Sequence, residues 1–328
     1  MLIHFEGQEI EISPGETVLQ CIERHGGTLP AFCRSGVCRT CLVKARRGSV
    51  PPAAQKGLKE ALRLQGLFLA CQCQPSEDIE LERYGSSAVF DSGVERVERL
   101  SERVLRVSLS APAGFEYQAG QFIQLERPGD GVSRAYSIAS LPGAALLELH
   151  VALLPGGSMS SWLVGATGQP VRLRGPFGEC HYLPGELERP LCLAGTGTGL
   201  APLLGILRTA LGAGHRGPIR LYHGGVQQSG LYLWDELMAL EQAAPNLRVK
   251  GSVLEGPVAQ AGVAASGSIH VQALDATIAA DGASPAEERV FLCGHADLVR
   301  ALQKKFYLSG VPLARIHADA FVAPGTPG

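Results

Sequence analysis

Three cysteines, Cys33, Cys38 and Cys41, are followed at a distance by Cys71; four, two and 29 residues separate successive members. This is the C-x4-C-x2-C…C spacing of plant-type [2Fe–2S] sites, in which three thiolates on one loop wrap the cluster and a fourth arrives from a distant strand. Gly36 permits the bend that turns backbone N–H groups toward the sulfurs. A structural zinc site would favour paired C-x2-C knuckles and fits the first step poorly. Cys73 competes with Cys71 for the fourth place, and the register of Leu69 to Gln72 favours Cys71. Cys21, on an amphipathic stretch, reads as a core residue.

Two further groups of residues suit nucleotide chemistry. In Arg134-Ala-Tyr136-Ser137, Tyr136 can stack on an isoalloxazine and Ser137 can hydrogen-bond its N5. Arg134 and the helix opened by Gly156-Gly157, which carries Ser160, can bracket a pyrophosphate. Gly195-Thr196-Gly197-Thr198-Gly199 follows an apolar run and opens a helix, so its amides can receive a dinucleotide pyrophosphate. It departs from the G-x-G-x-x-G of dehydrogenases. Cys293-Gly294-His295 ends another apolar run, where Cys293 can reach a nicotinamide or can serve as a small buried hydrophobe.

The elements needed to position these residues fall into three textures. Residues 2–12 alternate as a hairpin, Thr17 to Arg24 reads as a helix opened by Glu16, 55–65 looks helical and Phe68 to Cys73 looks like a strand. Tyr84 to Gly93 reads as a linker. Short strands at 104–109, 120–125 and 146–151, with a helix near 160–163, suggest an antiparallel barrel. After Pro190, strands at 191–194, 219–223, 247–253 and 290–293 alternate with helices at 200–211, 231–243, 268–280 and 296–309, the signature of a parallel α/β sheet. The Gly/Ala-rich stretch 255–268 reads as a surface loop.

The 328 residues, 45% apolar and 18% charged, allow two or three ordinary cores. A net charge of −2 gives no support to nucleic-acid binding. No run approaches the roughly 18 apolar residues of a membrane span, and the N-terminus has no signal-like core, so the expectation is a soluble, cytoplasmic protein. Nine cysteines without an export signal point to metal or redox chemistry rather than disulfides.

Together these signatures, in this order, resemble the ferredoxin–NADP⁺ reductase superfamily in its three-domain form, which includes reductase components of ring-hydroxylating dioxygenases and multicomponent monooxygenases. The resemblance implies a multidomain α+β and β chain. A β-grasp [2Fe–2S] ferredoxin would span 1–85, an antiparallel Greek-key β-barrel for FAD 93–184, and an α/β parallel-sheet NAD domain 188–328. It implies that Cys33, Cys38, Cys41 and Cys71 ligate the cluster and that Arg134, Tyr136, Ser137 and Ser160 hold FAD. Gly195, Thr196 and Gly197 would carry NADH, with Ser137 and Cys293 on the hydride path. The ending His317-Ala-Asp319-Ala-Phe321 resembles the acidic–aromatic C-terminus beside the flavin, with Phe321 as its aromatic. NADH would reduce FAD, and single electrons would pass through the cluster to an oxygenase docking nearby. A dehydratase acceptor, or a non-catalytic redox sensor, shares the same motifs.

Three departures from the family stand out. Arg39 replaces a usual Gly, His295 replaces a usual Pro, and no Arg or Lys lies between Tyr222 and Leu231 to hold a 2′-phosphate, which favours NADH. Arg34, Arg39, Lys44, Arg46 and Arg47 suggest a basic docking face for an acidic acceptor.

Overall fold

The computed structural model describes residues 1–31, 33–37, 39–58, 62–63, 66–84, 89–183, 185–256, 269–282 and 286–321. They build three sheets. The first lies in one compact unit, and the other two lie together in a second, Val89–Phe321.

In the first unit, β1 (Leu2–Phe5) and β2 (Gln8–Glu11) form the expected hairpin. Glu6 and Gly7 both take positive φ at its turn, which matches the twist of the strands. Helix α1 (Val18–Arg24) is opened by Thr17 rather than Glu16. The Thr17 hydroxyl accepts from the Gln20 amide while the Gln20 side chain accepts from the Thr17 amide, a reciprocal cap. Glu16 instead accepts from the Ser13 amide and from Arg24. Strands β3 (Leu42–Arg47), β4 (Leu67–Leu69) and β5 (Ile79–Arg83) complete a sheet of order β2-β1-β5-β3-β4. The strand expected over 68–73 stops at Leu69, and Ala70–Gln72 forms a 3₁₀ turn. In the segment expected to be helical at 55–65, a 3₁₀ turn at Pro52–Gln55 precedes it, and 59–61 and 64–65 lie outside the described residues.

In the second unit, β6 (Val89–Ser101), β7 (Val104–Ser110), β8 (Phe122–Glu126), β9 (Ser133–Ser137), β10 (Leu146–Ala152) and β11 (Pro170–Phe177) form an antiparallel sheet of order β10-β7-β6-β11-β8-β9. A bridge between Ile138 and Leu149 brings the exit of β9 against β10 and closes the sheet into a barrel. Alternate residues such as Leu105, Val107, Leu109, Leu147 and Leu149 fill it. Residues 89–93, read from sequence as linker, are the start of β6 and pair with β11; 85–88 lie outside the described residues. Helix α2 (Ser158–Leu163) interrupts the strands where one was expected.

The remaining strands, β12 (Leu191–Thr196), β13 (Ile219–Gly225), β14 (Leu247–Val253), β15 (Ile269–Val271), β16 (Arg289–His295) and β17 (Ile316–Phe321), form a parallel sheet. Helices α3 (Leu200–Gly212), α4 (Trp234–Ala243), α5 (Leu274–Ala280) and α6 (Ala296–Leu308) connect them. The helix expected over 268–280 begins as β15, whose β-branched Ile269 and Val271 suit a strand. Of the expected loop 255–268, residues 257–268 lie outside the described residues. The sheet order β15-β14-β13-β12-β16-β17 reverses beside β12, so the switch-point crevice opens at the carboxyl ends of β12 and β16.

Candidate functional site

The cysteine loop sits between α1 and β3. Cys33, Cys41 and Cys71 are buried; Cys38 lies outside the described residues. The Cys33 sulfur accepts from the amides of Ser35 at 3.4 Å and Val37 at 3.3 Å. The Ala70 amide donates to the Cys41 carbonyl at 3.0 Å, which ties the end of the loop to the turn carrying Cys71. The Cys41 thiol hydrogen-bonds Cys71 and, against the opposing effect of burial, brings it down to about 7; Gln72 and the Gly36 amide also favour the thiolate. Thiols supplied with inward N–H donors suit the anionic sulfur of an iron–sulfur cluster.

Gly36 has φ +81°, and a Cβ there would lie 3.0 Å from the Gln72 Cγ. Arg34 and Arg39 share the left-handed conformation, with φ of 53° and 57°. A glycine at position 39 would take this conformation without strain, whereas a side chain costs roughly 1–2 kcal/mol. The Arg39 guanidinium donates to the Gly57 carbonyl at 2.8 Å, which offsets part of that cost. Cys73 follows the 3₁₀ turn into the core. It has no exposed area, burial pushes its thiol up to about 12, and its carbonyl accepts from the Val18 amide at the start of α1. The turn therefore separates Cys73, in the core, from Cys71 beside the loop.

The basic residues near this loop carry acidic partners. Arg34 grips Glu23 through two bonds of 2.7 and 2.9 Å. Lys44 and Arg46 share Glu82, and Arg47 lies 3.6 Å from Glu80.

On the barrel, β9 carries Arg134, Tyr136 and Ser137. Among the described residues no carboxylate pairs with Arg134, whose guanidinium donates to the Ser133 carbonyl at 2.7 Å, so its charge is available to a phosphate. Tyr136 packs on the core that holds Met159 and Leu163 of α2. The turn before α2 is closed by Ser160, whose hydroxyl donates to the Gly157 carbonyl and accepts from the Leu154 amide. A Cβ on Gly157 would come within 2.5 Å of that hydroxyl and 3.1 Å of the Leu154 carbonyl, so a side chain there would displace the Ser160 hydroxyl. Arg127 stacks over Trp162 and donates to the Ser158 hydroxyl at 3.1 Å, adding a second cation beside the turn.

At the switch point, Gly195 pairs in register with Cys293. A Cβ on Gly195 would lie 2.6 Å from the Cys293 carbonyl and 2.8 Å from the Leu203 side chain. Gly197–Gly199 form a 3₁₀ turn that leads into α3, and the His295 amide donates to the Thr196 hydroxyl at 3.3 Å. Glycine at 195, 197 and 199 leaves these positions without side chains, as close approach of a dinucleotide pyrophosphate requires. Cys293 also pairs with Asp319 of β17, and His295 pairs with Phe321. Burial pushes the Asp319 carboxyl up to about 6, although the nearby Ser137 hydroxyl favours its charged form. Ser137 and Asp319 thus come close where barrel and parallel sheet meet, and Asp319 lies in register with Cys293. Arg134, Tyr136 and Ser160 lie along the barrel side and Gly195, Thr196 and Gly197 on the sheet side.

Beneath the glycine turn, His223 of β13 pairs with Gly195 and is wholly buried, which brings it down to about 4. Its ring meets Tyr232 edge-on. The Tyr232 hydroxyl is 2.9 Å from His150 of the barrel, and His150 is 2.8 Å from Glu148. This polar chain helps fix barrel and sheet to each other.

Three family models match the chain in sequence: a 2Fe-2S iron-sulfur cluster binding domain over 3–76, an oxidoreductase FAD-binding domain over 93–182 and an oxidoreductase NAD-binding domain over 193–304. The chain is 31% identical to the reductase subunit of an aromatic O-demethylase from Amycolatopsis, covering 96% of each. The chain belongs to the three-domain ferredoxin–NADP⁺ reductase family. The reductase is also 31% identical to the ferredoxin–NAD(P)⁺ reductase component of a Pseudomonas putida naphthalene 1,2-dioxygenase system, over 99% of each chain. A solved ferredoxin reductase of a carbazole 1,9a-dioxygenase superposes with a TM-score of 0.67 at 25% identity over 98% of each. The reductase is accordingly an oxidoreductase with FAD, NAD and [2Fe–2S] domains. No helix among its described residues is long and apolar enough to cross a membrane.

Two contacts in the second unit were not foreseen from sequence. The approach of Ser137 to Asp319 was foreshadowed only by the acidic–aromatic ending. Cys180, whose sulfur lies 3.4 Å from that of Cys293, follows the last barrel strand in a segment with no motif of its own.

Proposed function

We propose that the reductase oxidises NADH and delivers single electrons to an oxygenase component docking near the cluster loop. The observation that carries this reading is the approach of Ser137 to Asp319, which lies in register with Cys293 at the switch point of the parallel sheet. It sets a barrel strand suited to flavin against a strand end suited to nicotinamide. FAD, when bound, supplies the exchange between two-electron and one-electron chemistry, and the cluster supplies single-electron carriage.

The chain's own residues bind and orient. Arg134 and the turn at Gly157–Ser160 hold a pyrophosphate, Tyr136 offers a ring face and Ser137 a hydroxyl. Gly195, Thr196 and Gly197 receive the second dinucleotide, while Cys293 and Phe321 line the crevice. Cys33, Cys38, Cys41 and Cys71 hold the cluster. NADH is favoured over NADPH because 222–231 has no cation and Gln227 there donates to the Glu255 carboxylate at 3.3 Å, which would repel a 2′-phosphate.

Anaerobic titration with NADH, followed by visible absorption and low-temperature EPR, tests the relay. Bleaching of the flavin bands with a reduced [2Fe–2S] signal is expected. Absence of any flavin spectrum would overturn the proposal.

A further inference from the structure

Cys180 and Cys293 come from different parts of the second unit, one after the last barrel strand and the other at the end of β16. Their sulfurs are 3.4 Å apart, and the side chains are only 3% and 1% exposed. The hydride path described above uses one thiol; a second in contact with it has no role there.

We propose that Cys180 and Cys293 are a redox pair that hydrogen peroxide closes to a disulfide, reversibly stopping NADH oxidation. Two thiols and one peroxide give one disulfide and two waters. Both S–H bonds and the O–O bond break, an S–S bond forms, and the two electrons and two protons lost by the sulfurs end on the water oxygens. A disulfide places its sulfurs about 2.04 Å apart, so the pair must close by about 1.4 Å.

The contact between the two sulfurs suits this chemistry. Burial pushes the Cys293 thiol well up, with Cys180 and Asp319 adding to the effect, so its thiolate fraction is small and closure is slow at low peroxide. A small uncharged peroxide can enter where a glutathione disulfide cannot. Once formed, the bond ties the Cys293 strand end to the barrel exit. Gly195 packs directly against the Cys293 carbonyl, so movement there is passed to the nucleotide turn. The inhibition rests on the reading that Cys293 lies on the hydride path, whereas the crosslink does not.

The test uses the full-length holoenzyme, treated with hydrogen peroxide and then with an alkylating agent to cap remaining thiols. Non-reducing peptide mapping measures the Cys180–Cys293 link, and stopped-flow bleaching of the flavin by NADH measures the rate upstream of any cluster damage. The linked peptide is expected to accumulate in step with a loss of about 100-fold in rate, the cost of misplacing reacting groups by about 1 Å. Dithiothreitol should reverse both. Cys180→Ser, or Cys180→Ala where serine is poorly tolerated, should keep the untreated rate and resist peroxide. Absence of the linked peptide at doses that abolish bleaching, or equal inactivation of the Cys180 variants, overturns the proposal. A full yield of linked peptide with an undiminished rate overturns the inhibition, and with it the placement of Cys293 on the hydride path.

Discussion

Asp319 is a crevice carboxyl raised by its surroundings. Burial pushes it up to about 6, with the Ser137 hydroxyl near it and Cys293 opposite in the sheet register. Above that pH the ionised carboxylate competes for the Ser137 proton; below it, the neutral acid leaves the hydroxyl free to donate into the crevice. A bond to a charged acceptor is stronger by about 1 kcal/mol than one to a neutral acceptor, which corresponds to about fivefold in rate. Flavin bleaching by NADH should therefore quicken as pH falls from 7 to 5, with its midpoint near 6, and Asp319→Asn should flatten the profile. A profile unchanged in that variant would assign the titration elsewhere. The cluster loop allows an equally sharp contrast. Cys71→Ser should abolish the [2Fe–2S] EPR signal, because Cys71 meets Cys41 and the Gly36 amide. Cys73→Ser should retain the signal while lowering stability by about 1–3 kcal/mol, the cost of burying a hydroxyl without a partner. Metal content and thermal melting separate the two effects.

At the scale of elements, the glycine turn after β12, proposed to receive a dinucleotide, is also a packing device. Gly195→Ala would push a methyl group into the Cys293 carbonyl and Leu203, an overpacking that costs about 1–3 kcal/mol. The expected result is a lower melting temperature with a raised KM for NADH and little change in cluster content. Strands and helices with strong periodicity were legible from sequence, among them the hairpin of β1 and β2, the barrel strand β7 and the pair β12–α3. Each carries its own apolar pattern. Less legible were elements decided by a single local bond or by tertiary pairing. The Thr17–Gln20 cap outcompetes Glu16 at α1, the 3₁₀ turn at 70–72 replaces the end of a strand, and β15 exists because β14 offers it a parallel edge. The motifs located the candidate residues for the cluster and the two nucleotides. Which of them touch was not legible, because Ser137 and Asp319 are 182 residues apart and meet only through the closure of barrel on sheet.

For the molecule as a whole, the proposed docking of an acceptor near the cluster loop makes a testable claim about charge. Read as sequence, five cations there predict strong steering of an acidic partner. In the folded reductase Arg34 pairs with Glu23, Arg47 with Glu80, and both Lys44 and Arg46 with Glu82, so much of that field is cancelled within a few ångströms. With a Debye length of about 8 Å at physiological ionic strength, paired charges steer weakly. The expected dependence of acceptor reduction on salt is therefore shallow, less than about threefold between 0.05 and 0.5 M, with flavin bleaching by NADH unchanged. Glu82→Gln provides the decisive contrast because it removes one carboxylate that serves two cations. If the acceptor presents an acidic patch to this face, the variant should raise its second-order rate at low salt and steepen the salt dependence. If the acceptor docks through apolar surface, the variant should match the parent at every ionic strength, and the cations of β3 would then serve only the stability of the sheet.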